Sequence, residues 1–430
     1  MRVGDRLEAS VAGKTADTTV GSRGGPVNVP DKLDRPMRDR YEFVIFGAGC
    51  SGLSLCFYLV EKGVDAPILV LDRKRAFEDD RTWCFWDVEP TPFTHLAIKE
   101  WRSWNFLSVG GSVTQTTNRY PYKCLASRDF YKCALDRLAE SPNVTLRLGE
   151  EVRGCTEVNG QVRVETSGGT LSARQVFDGR GLPPGSLAFE EARRRATWVP
   201  QKFVGLRIRA RRPVFDPERC TLMDFTVDQS RGLRFVYVLP MEGREALVEN
   251  VYLSETPISQ EEHRAEIGAY LASVYGLSPD EYEVLGEERG YIPMTDYAFP
   301  WRLGQRTHNI GMLGGETRPS TGYTFLRIQR RCRALAAAIA SGVDTPERYY
   351  FRRIDLLDSL FLRFMRERSG ECPEVYRRMF AGVSPDSLVR FLTEKSTPLD
   401  EARLIRALPK TPFLKLAVRT LLGRSAAPGS

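Results

Sequence analysis

Gly47, Gly49, Gly52 and Asp72 are the residues whose types and spacing point most directly to chemistry. The apolar run Phe43-Val44-Ile45-Phe46 reads as a buried strand, the glycines form a G-x-G-x-x-G turn, and an apolar helical run follows. Asp72 closes a second apolar strand about 20 residues after the last glycine, the spacing at which an acidic side chain meets a ribose hydroxyl. In such a turn one glycine permits the bend, one lets backbone approach a pyrophosphate, and one lets helix pack on strand. The helix N-terminus then offers free N–H groups and the positive end of its dipole to the phosphates. The pattern predicts a dinucleotide site, for FAD or NAD(P).

Other reactive residue types exclude more than they suggest. The nine cysteines are odd in number and scattered without a C-x-x-C pair, and the three histidines show no metal-ligand spacing. This argues against a disulfide framework and metal catalysis, and for a reducing, cytoplasmic compartment. At 430 residues, 42% hydrophobic and 27% charged, the chain has ordinary globular composition and is long enough for two or three domains. No apolar run reaches the ~18 residues of a bilayer-spanning helix. The net charge of +7 is concentrated: residues 325–424 hold 20 Arg/Lys against 11 Asp/Glu, so the surplus sits in the C-terminal quarter. A solvated helical surface, an anionic membrane surface and nucleic acid each fit such a surplus, and no nucleic-acid motif accompanies it.

The elements that must position these residues follow in order. Residues 1–40 are polar, Gly/Ser/Thr/Pro-rich and without periodicity, and are expected to form a disordered arm. Residues 41–195 are expected to be the first part of an FAD-binding domain, with a helix capped by Ser127. Strands are expected at 144–148, 152–158, 162–166 and 171–177, with turns at Asn159-Gly160 and Gly168-Gly169. Residues 196–293 read as a second sheet, with strands at 201–209, 221–227, 235–239 and 246–253. A helix with a Ser259/Glu262 capping box follows them. Residues 294–342 return to the nucleotide domain through a glycine-rich segment, where Gly314 and Gly315 are expected to support the cofactor, and enter a long helix. Residues 343–424 read as helical, with Leu356, Leu357, Leu360, Phe361 and Phe364 at helical spacing. The fold class is therefore α/β with α+β character: a Rossmann-type FAD/NAD(P)-binding domain, a β-sheet substrate domain and C-terminal helices.

Three further segments are distinctive: Arg81-Thr82-Trp83-Cys84-Phe85-Trp86, Leu247-Val248-Glu249-Asn250, and Gly314-Gly315-Glu316-Thr317-Arg318-Pro319-Ser320-Thr321-Gly322-Tyr323-Thr324-Phe325. With the nucleotide motif and Asp178-Gly179-Arg180-Gly181, they resemble the bacterial lycopene β-cyclases and, more distantly, the plant lycopene cyclases. The likeness runs in order through most of residues 41–420. It implies a flavoprotein that closes β-ionone rings on linear lycopene without net oxidation, using FAD in its reduced form with NAD(P)H as reductant. Lycopene and related linear carotenoids would be the substrates, other carotenoid-pathway enzymes potential partners, and the cytoplasmic membrane face the site of work.

Ring closure starts when a proton reaches a terminal double bond; the tertiary carbocation is then attacked by the next double bond, and a neighbouring proton is lost. Such chemistry needs a strong acid in an apolar cavity, something electron-rich beside the cation, and no water. Glu249 matches the acid of the family's Leu-Val-Glu-Asp segment, and its neighbours Leu247, Val248 and Val251 are apolar enough to bury it and keep it protonated. Strand alternation alone leaves open whether it faces inward or outward. Asn250 departs from the family by replacing a second acid. Trp83, Phe85 and Trp86 either line the polyene tunnel, offering ring faces to the cation, or are core. Glu316 is a second candidate acid, while Asp79, Asp80 and Arg81 read as a solvated loop. The apolar faces at 356–364 and 413–422, edged by Arg363, Arg366, Lys415 and Arg419, suit interfacial helices or core packing. The same layout serves flavin-dependent reductases and monooxygenases, which change substrate mass where a cyclase does not; a non-catalytic carotenoid carrier is a third reading, marked by tight polyene binding with an inert Glu249.

Overall fold

A computed structural model describes residues 25–343 and 352–425. Its first sheet is built on strand Arg40–Phe46, whose near-continuous apolar sequence suits burial on both faces. Ile68–Asp72 and Val144–Leu148 lie to one side, and Gly169–Asp178 to the other, all parallel. Gly169–Asp178 carries Thr307–Asn309 parallel at its C-terminal end. It also closes an antiparallel meander with Val152–Val158 and Gln161–Thr166. Asn159 and Gly160 both take positive φ (52° and 74°) in the hairpin between those two strands, as a tight two-residue turn requires. Helices Cys50–Glu61 and Phe325–Ala340 pack together over this sheet, joined by the Gln329 amide donating to the Ser54 hydroxyl (2.9 Å).

The second sheet has seven strands, in the order Tyr282–Thr295, Trp198–Ala210, Glu245–Leu253, Leu233–Pro240, Arg219–Asp224, Ser103–Ser108 and Gly111–Thr116. The last two were expected in the nucleotide domain. They reach this sheet because Arg219–Asp224 pairs parallel with Ser103–Ser108, a long-range contact that local pattern does not announce. Both faces are apolar. Val204, Leu206, Ile208, Val236, Val238 and Val248 pack on the outer side with helix Gln260–Tyr275, whose Ser259/Glu262 capping box is formed. Leu247, Val251, Leu253 and Phe235 pack inward against the C-terminal helices.

A three-stranded antiparallel sheet (Thr82–Trp86, Tyr122–Ala126, Lys99–Trp101) bridges the two larger ones. The C-terminal helices are fastened by Arg318, whose guanidinium binds Asp358 (2.8 Å) and the Phe391 carbonyl (2.6 Å), while the Ser320 hydroxyl also donates to Asp358. Both charged residues are 1% exposed. Breaking one side of such a buried pair costs about 3–5 kcal/mol.

Several expectations are corrected. Of the expected arm, residues 1–24 lie outside the described residues, but 25–40 are not a free tail. Val27 bridges to Phe77, and Leu33 is fully buried in the nucleotide-domain core. Ser127 does not cap its helix. It is the first helical residue, and its hydroxyl oxygen accepts from the Arg81 amide (3.1 Å) instead. Asp79 is no solvated group: it forms an ion pair with Arg207 (3.1 Å) that ties the bridging segment to the second sheet. Helix Arg352–Glu367 turns Leu360, Leu362 and Phe364 into the core, so the 356–364 face packs on the protein itself.

Candidate active site

The glycine turn has the geometry of an anion cradle. Gly47 has φ +91° and lies so close to Gly179 that a Cβ would meet its backbone at 3.0 Å. Gly52 is tighter still: a Cβ there would stand 1.9 Å from the Gly47 carbonyl oxygen, so only glycine lets the helix sit on the turn. Gly49 differs. A Cβ on it meets nothing within 4 Å, and its φ of −88° suits any residue. The space it leaves lies at the N-cap of helix Cys50–Glu61, a helix end whose first N–H groups and dipole suit an anion. Asp72 is oriented by the turn, accepting from Ala48 N (2.7 Å) and Lys74 N (2.9 Å). These residues fit a dinucleotide. Lys74, which sequence reasoning passed over, stands 3.9 Å from Asp72 and over the Phe77 ring, and burial lowers its pKa.

The return segment closes the same region. Gly314 sits against the Asn309 carbonyl (2.8 Å to an added Cβ), and Gly315 takes φ +72°. Glu316 is buried, and its carboxylate accepts from Gly311 N (3.0 Å), so it braces this loop from within.

Glu249 lies on the inner face of the second sheet, 8% exposed. Cross-strand pairing places Tyr237, Glu249, Gly205 and Glu288 in one row, on four adjacent strands. Gly205 has no side chain to separate its neighbours; a Cβ there would be 2.8 Å from Glu249 Cγ. Glu249 therefore reaches toward Glu288 across the glycine, close enough for the two carboxyls to share a hydrogen bond when one is protonated. Burial pushes the Glu249 carboxyl well above its ordinary range, and the charge and hydrogen bond of Glu288 push it further. Glu288, 7% exposed, accepts from the Thr82 hydroxyl (2.6 Å). Asn250 faces the opposite side of the strand. There it accepts from Arg234 (2.7 Å), donates to Glu266 (2.6 Å) and meets His263 (3.0 Å) beneath helix Gln260–Tyr275. Neighbours on a strand point to opposite faces, so no residue at 250 can pair with Glu249. Sequence reasoning missed Glu288; the available signal was a glycine inside a long strand, which marks close approach.

Alternation also divides the aromatic triplet. Thr82, Cys84 and Trp86 face the second sheet, where Trp86 packs on Trp104 and Tyr122 (both 4.4 Å). Trp83 and Phe85 face the nucleotide domain and stack on Phe325, at 5.8 and 4.8 Å. Above the Glu249 row, the Tyr237 hydroxyl donates to Tyr122 (2.8 Å). Cys84 sits opposite Cys124, whose thiol is pushed up by its hydrogen bond with Cys84 and by burial.

A cavity of about 450 Å³, within the usual range for ligand sites, opens between the second sheet and the C-terminal helices. Leu222, Phe235, Leu253, Phe361 and Phe413 line it, and it reaches the surface at Ile405 and Leu414, which are 51% and 65% exposed. Phe235 lies one same-face row from Tyr237 and Glu249, about 7 Å along the strand. Trp83, Phe85, Trp86 and Glu316 are not among its lining residues; Phe85 and Trp86 border a smaller pocket beside Phe325. Among the described residues no helix is long and apolar enough to cross a membrane, and no group of His, Cys, Asp and Glu could hold a metal ion.

A parallel sheet with an inserted meander, joined to a second sheet that faces a cavity, defines a mixed α/β, Rossmann-like fold class. Solved structures agree on that fold. A geranylgeranyl bacteriochlorophyll reductase-like protein from Thermoplasma acidophilum matches with TM-score 0.55 and 14% identity, over 90% of this chain and 99% of that one. A flavoprotein/dehydrogenase from Cytophaga hutchinsonii gives 0.55 and 15%, over 90% and 100%. A variant of halogenase PltM, solved in complex with FAD, gives 0.51 and 12%, over 81% and 78%. Residues 42–418 match the lycopene cyclase protein family, and the chain is an enzyme belonging to that family. It is 25% identical to the lycopene beta-cyclase of Pantoea ananas over 395 residues, 88% of this chain and 97% of that protein. It is 26% identical to the lycopene beta-cyclase of Paracoccus sp. (strain N81106 / MBIC 01143) over 406 residues, 89% and 97% respectively.

Proposed function

We propose that this chain forms β-ionone end rings on lycopene by acid-initiated, redox-neutral cyclisation. The observation that carries the reading is a buried carboxyl with a raised pKa, one row in from an apolar cavity. Glu249 holds its proton at neutral pH and delivers it to a terminal double bond of a polyene end that has moved in past Phe235. The apolar lining excludes water that would trap the cation as an alcohol, and the rings of Phe235, Tyr237 and Trp86 offer electron-rich faces to it. Attack by the next double bond closes the ring, and loss of a neighbouring proton completes it.

Gly47, Gly49, Gly52 and Asp72 would hold the pyrophosphate and ribose of FAD, with Gly314 and Gly315 supporting its ring end. Bound in reduced form, with NAD(P)H as reductant, FAD would supply electron density that stabilises a cation. Trp83 and Phe85 act from behind, as the aromatic support of Phe325 at the start of its helix.

The substrate is a water-insoluble hydrocarbon, so we place the enzyme at the cytoplasmic membrane face. The docking surface is the one around the cavity opening. Ile405, Lys410 and Leu414 line it, and the same two helices, Pro398–Ala407 and Lys410–Ser425, expose Leu399, Val418, Arg403, Arg406, Lys415 and Arg419. Expression in a lycopene-accumulating host tests the function. The expected pigment is cyclic and has the mass of lycopene; a product differing by two hydrogens or by an oxygen would instead favour a flavin reductase or monooxygenase.

A further inference from the structure

We propose that Glu288 is the positioning residue that keeps the initiating proton on Glu249, the two carboxyl groups working as one proton-sharing pair across Gly205. The inference rests on the reading of Glu249 as the acid and adds the group that loads it. Three observations carry it. Both carboxyls are over nine-tenths buried on one sheet row. The residue between them is a glycine with no room for a side chain. The Thr82 hydroxyl donates to a Glu288 oxygen (2.6 Å), which strengthens Glu288 as an acceptor facing the Glu249 carboxyl.

Among the described residues neither carboxyl is in an ion pair. On the same face of the Gly205 strand, Arg207 is committed to Asp79. Among the described residues, the other titratable groups packed on the row are Tyr237 and Cys220 from its own sheet, Cys84, Tyr122 and Cys124 from the bridging sheet, and Tyr323 from the glycine-rich loop. Burial pushes the Tyr122, Tyr237 and Tyr323 phenols and the Cys220 thiol up, and the hydrogen bond with Cys84 does so for the Cys124 thiol, so these stay neutral at working pH. Two adjacent carboxylates in a low dielectric repel, so the pair retains one proton through neutral pH. When Glu249 gives that proton to the double bond, it is left as a carboxylate beside another. It then becomes a base strong enough to take the proton that ring closure releases. One proton enters the hydrocarbon and one leaves, with no electrons transferred.

The test is Glu288→Gln, which keeps the Thr82 bond and removes the charge. FAD retention and polyene binding should match wild type. The basic limb of kcat against pH should move to lower pH by about one unit or more, a loss of about tenfold in loaded enzyme at a fixed pH on that limb. The infrared carbonyl band of protonated Glu249, identified by its disappearance in Glu249→Gln, should titrate away at correspondingly lower pH. Glu288→Asp should restore the limb in part. If Glu288→Gln does not fold, Gly205→Ala, which forces the carboxyls apart, should give the same shift. A limb and a band that both stay at their wild-type positions would overturn the pairing. An inactive Glu249→Gln alongside such a result leaves the cyclase reading standing, whereas an active Glu249→Gln removes the acid itself.

Discussion

Glu249→Gln should make the protein more stable, by an amount that grows with pH. In the folded chain Glu249 sits beside Glu288 in an apolar row and keeps its proton, whereas in the unfolded chain it releases it above about pH 4.3. Across that window the folded state binds more protons than the unfolded state, so wild-type stability falls as pH rises, until the folded group itself ionises. The slope is about 1.4 kcal/mol per pH unit. Glutamine does not titrate, keeps the shape, and its amide donates to Glu288 as the acid did. Taking the difference between variants cancels the ionisable groups that do not face position 249, and Glu288 meets a donor there in both. The gain of the variant should therefore be near zero close to pH 4.3 and about 2.7 kcal/mol two units higher, levelling off where Glu249 ionises. Urea unfolding of both proteins across pH 5–8 measures it. A difference that stays constant with pH would refute the argument, because Glu249 would then ionise as a solvated carboxylate does.

Gly49→Val should abolish FAD binding while leaving the fold intact, since its side chain would enter only the open space where we place the pyrophosphate; circular dichroism and flavin titration separate this from Gly52→Ala, which clashes with the Gly47 carbonyl and should unfold the turn. Asn250→Asp should leave cyclisation within about twofold of wild type but lower stability by about 1–3 kcal/mol, because it sets a carboxylate against Glu266 on the far face of the sheet; pigment assays and thermal melts read the two effects. Liposome co-sedimentation should show stronger binding to anionic than neutral vesicles, weakening as salt screens about 1 kcal/mol per basic residue at the surface, and Leu414→Asp should reduce it to both.

The nucleotide half was legible because its signals are local. Strand Arg40–Phe46, the three glycines, helix Cys50–Glu61 and Asp72 follow one another within a short span, and each constrains the next. The capping box at Ser259 and the hairpin at Asn159-Gly160 were readable for the same reason. What escaped depended on pairing between distant segments. Glu288 acquires its place only through the register of Tyr282–Thr295 on Trp198–Ala210, and Ser103–Ser108 joins the second sheet through a parallel contact far along the chain. Period-two alternation already implied that Glu249 and Asn250 face apart, and that Trp83 and Trp86 cannot share a wall. Reading each motif as a unit hid that, since a strand divides its neighbours between two environments. Ser127 shows the converse: a hydroxyl of the right type at a helix start was taken by the Arg81 amide, a tertiary partner that overrode the local rule.

Isotope uptake during ring closure tests the central claim most directly. Purified enzyme carrying reduced FAD, equilibrated in D2O and held in excess over lycopene, should yield a cyclic product that carries a single deuterium for each ring formed and is otherwise isomeric with lycopene. Glu249→Gln should yield none. A cyclic product without deuterium, or one changed in mass by two hydrogens or an oxygen, would contradict proton-initiated, redox-neutral cyclisation.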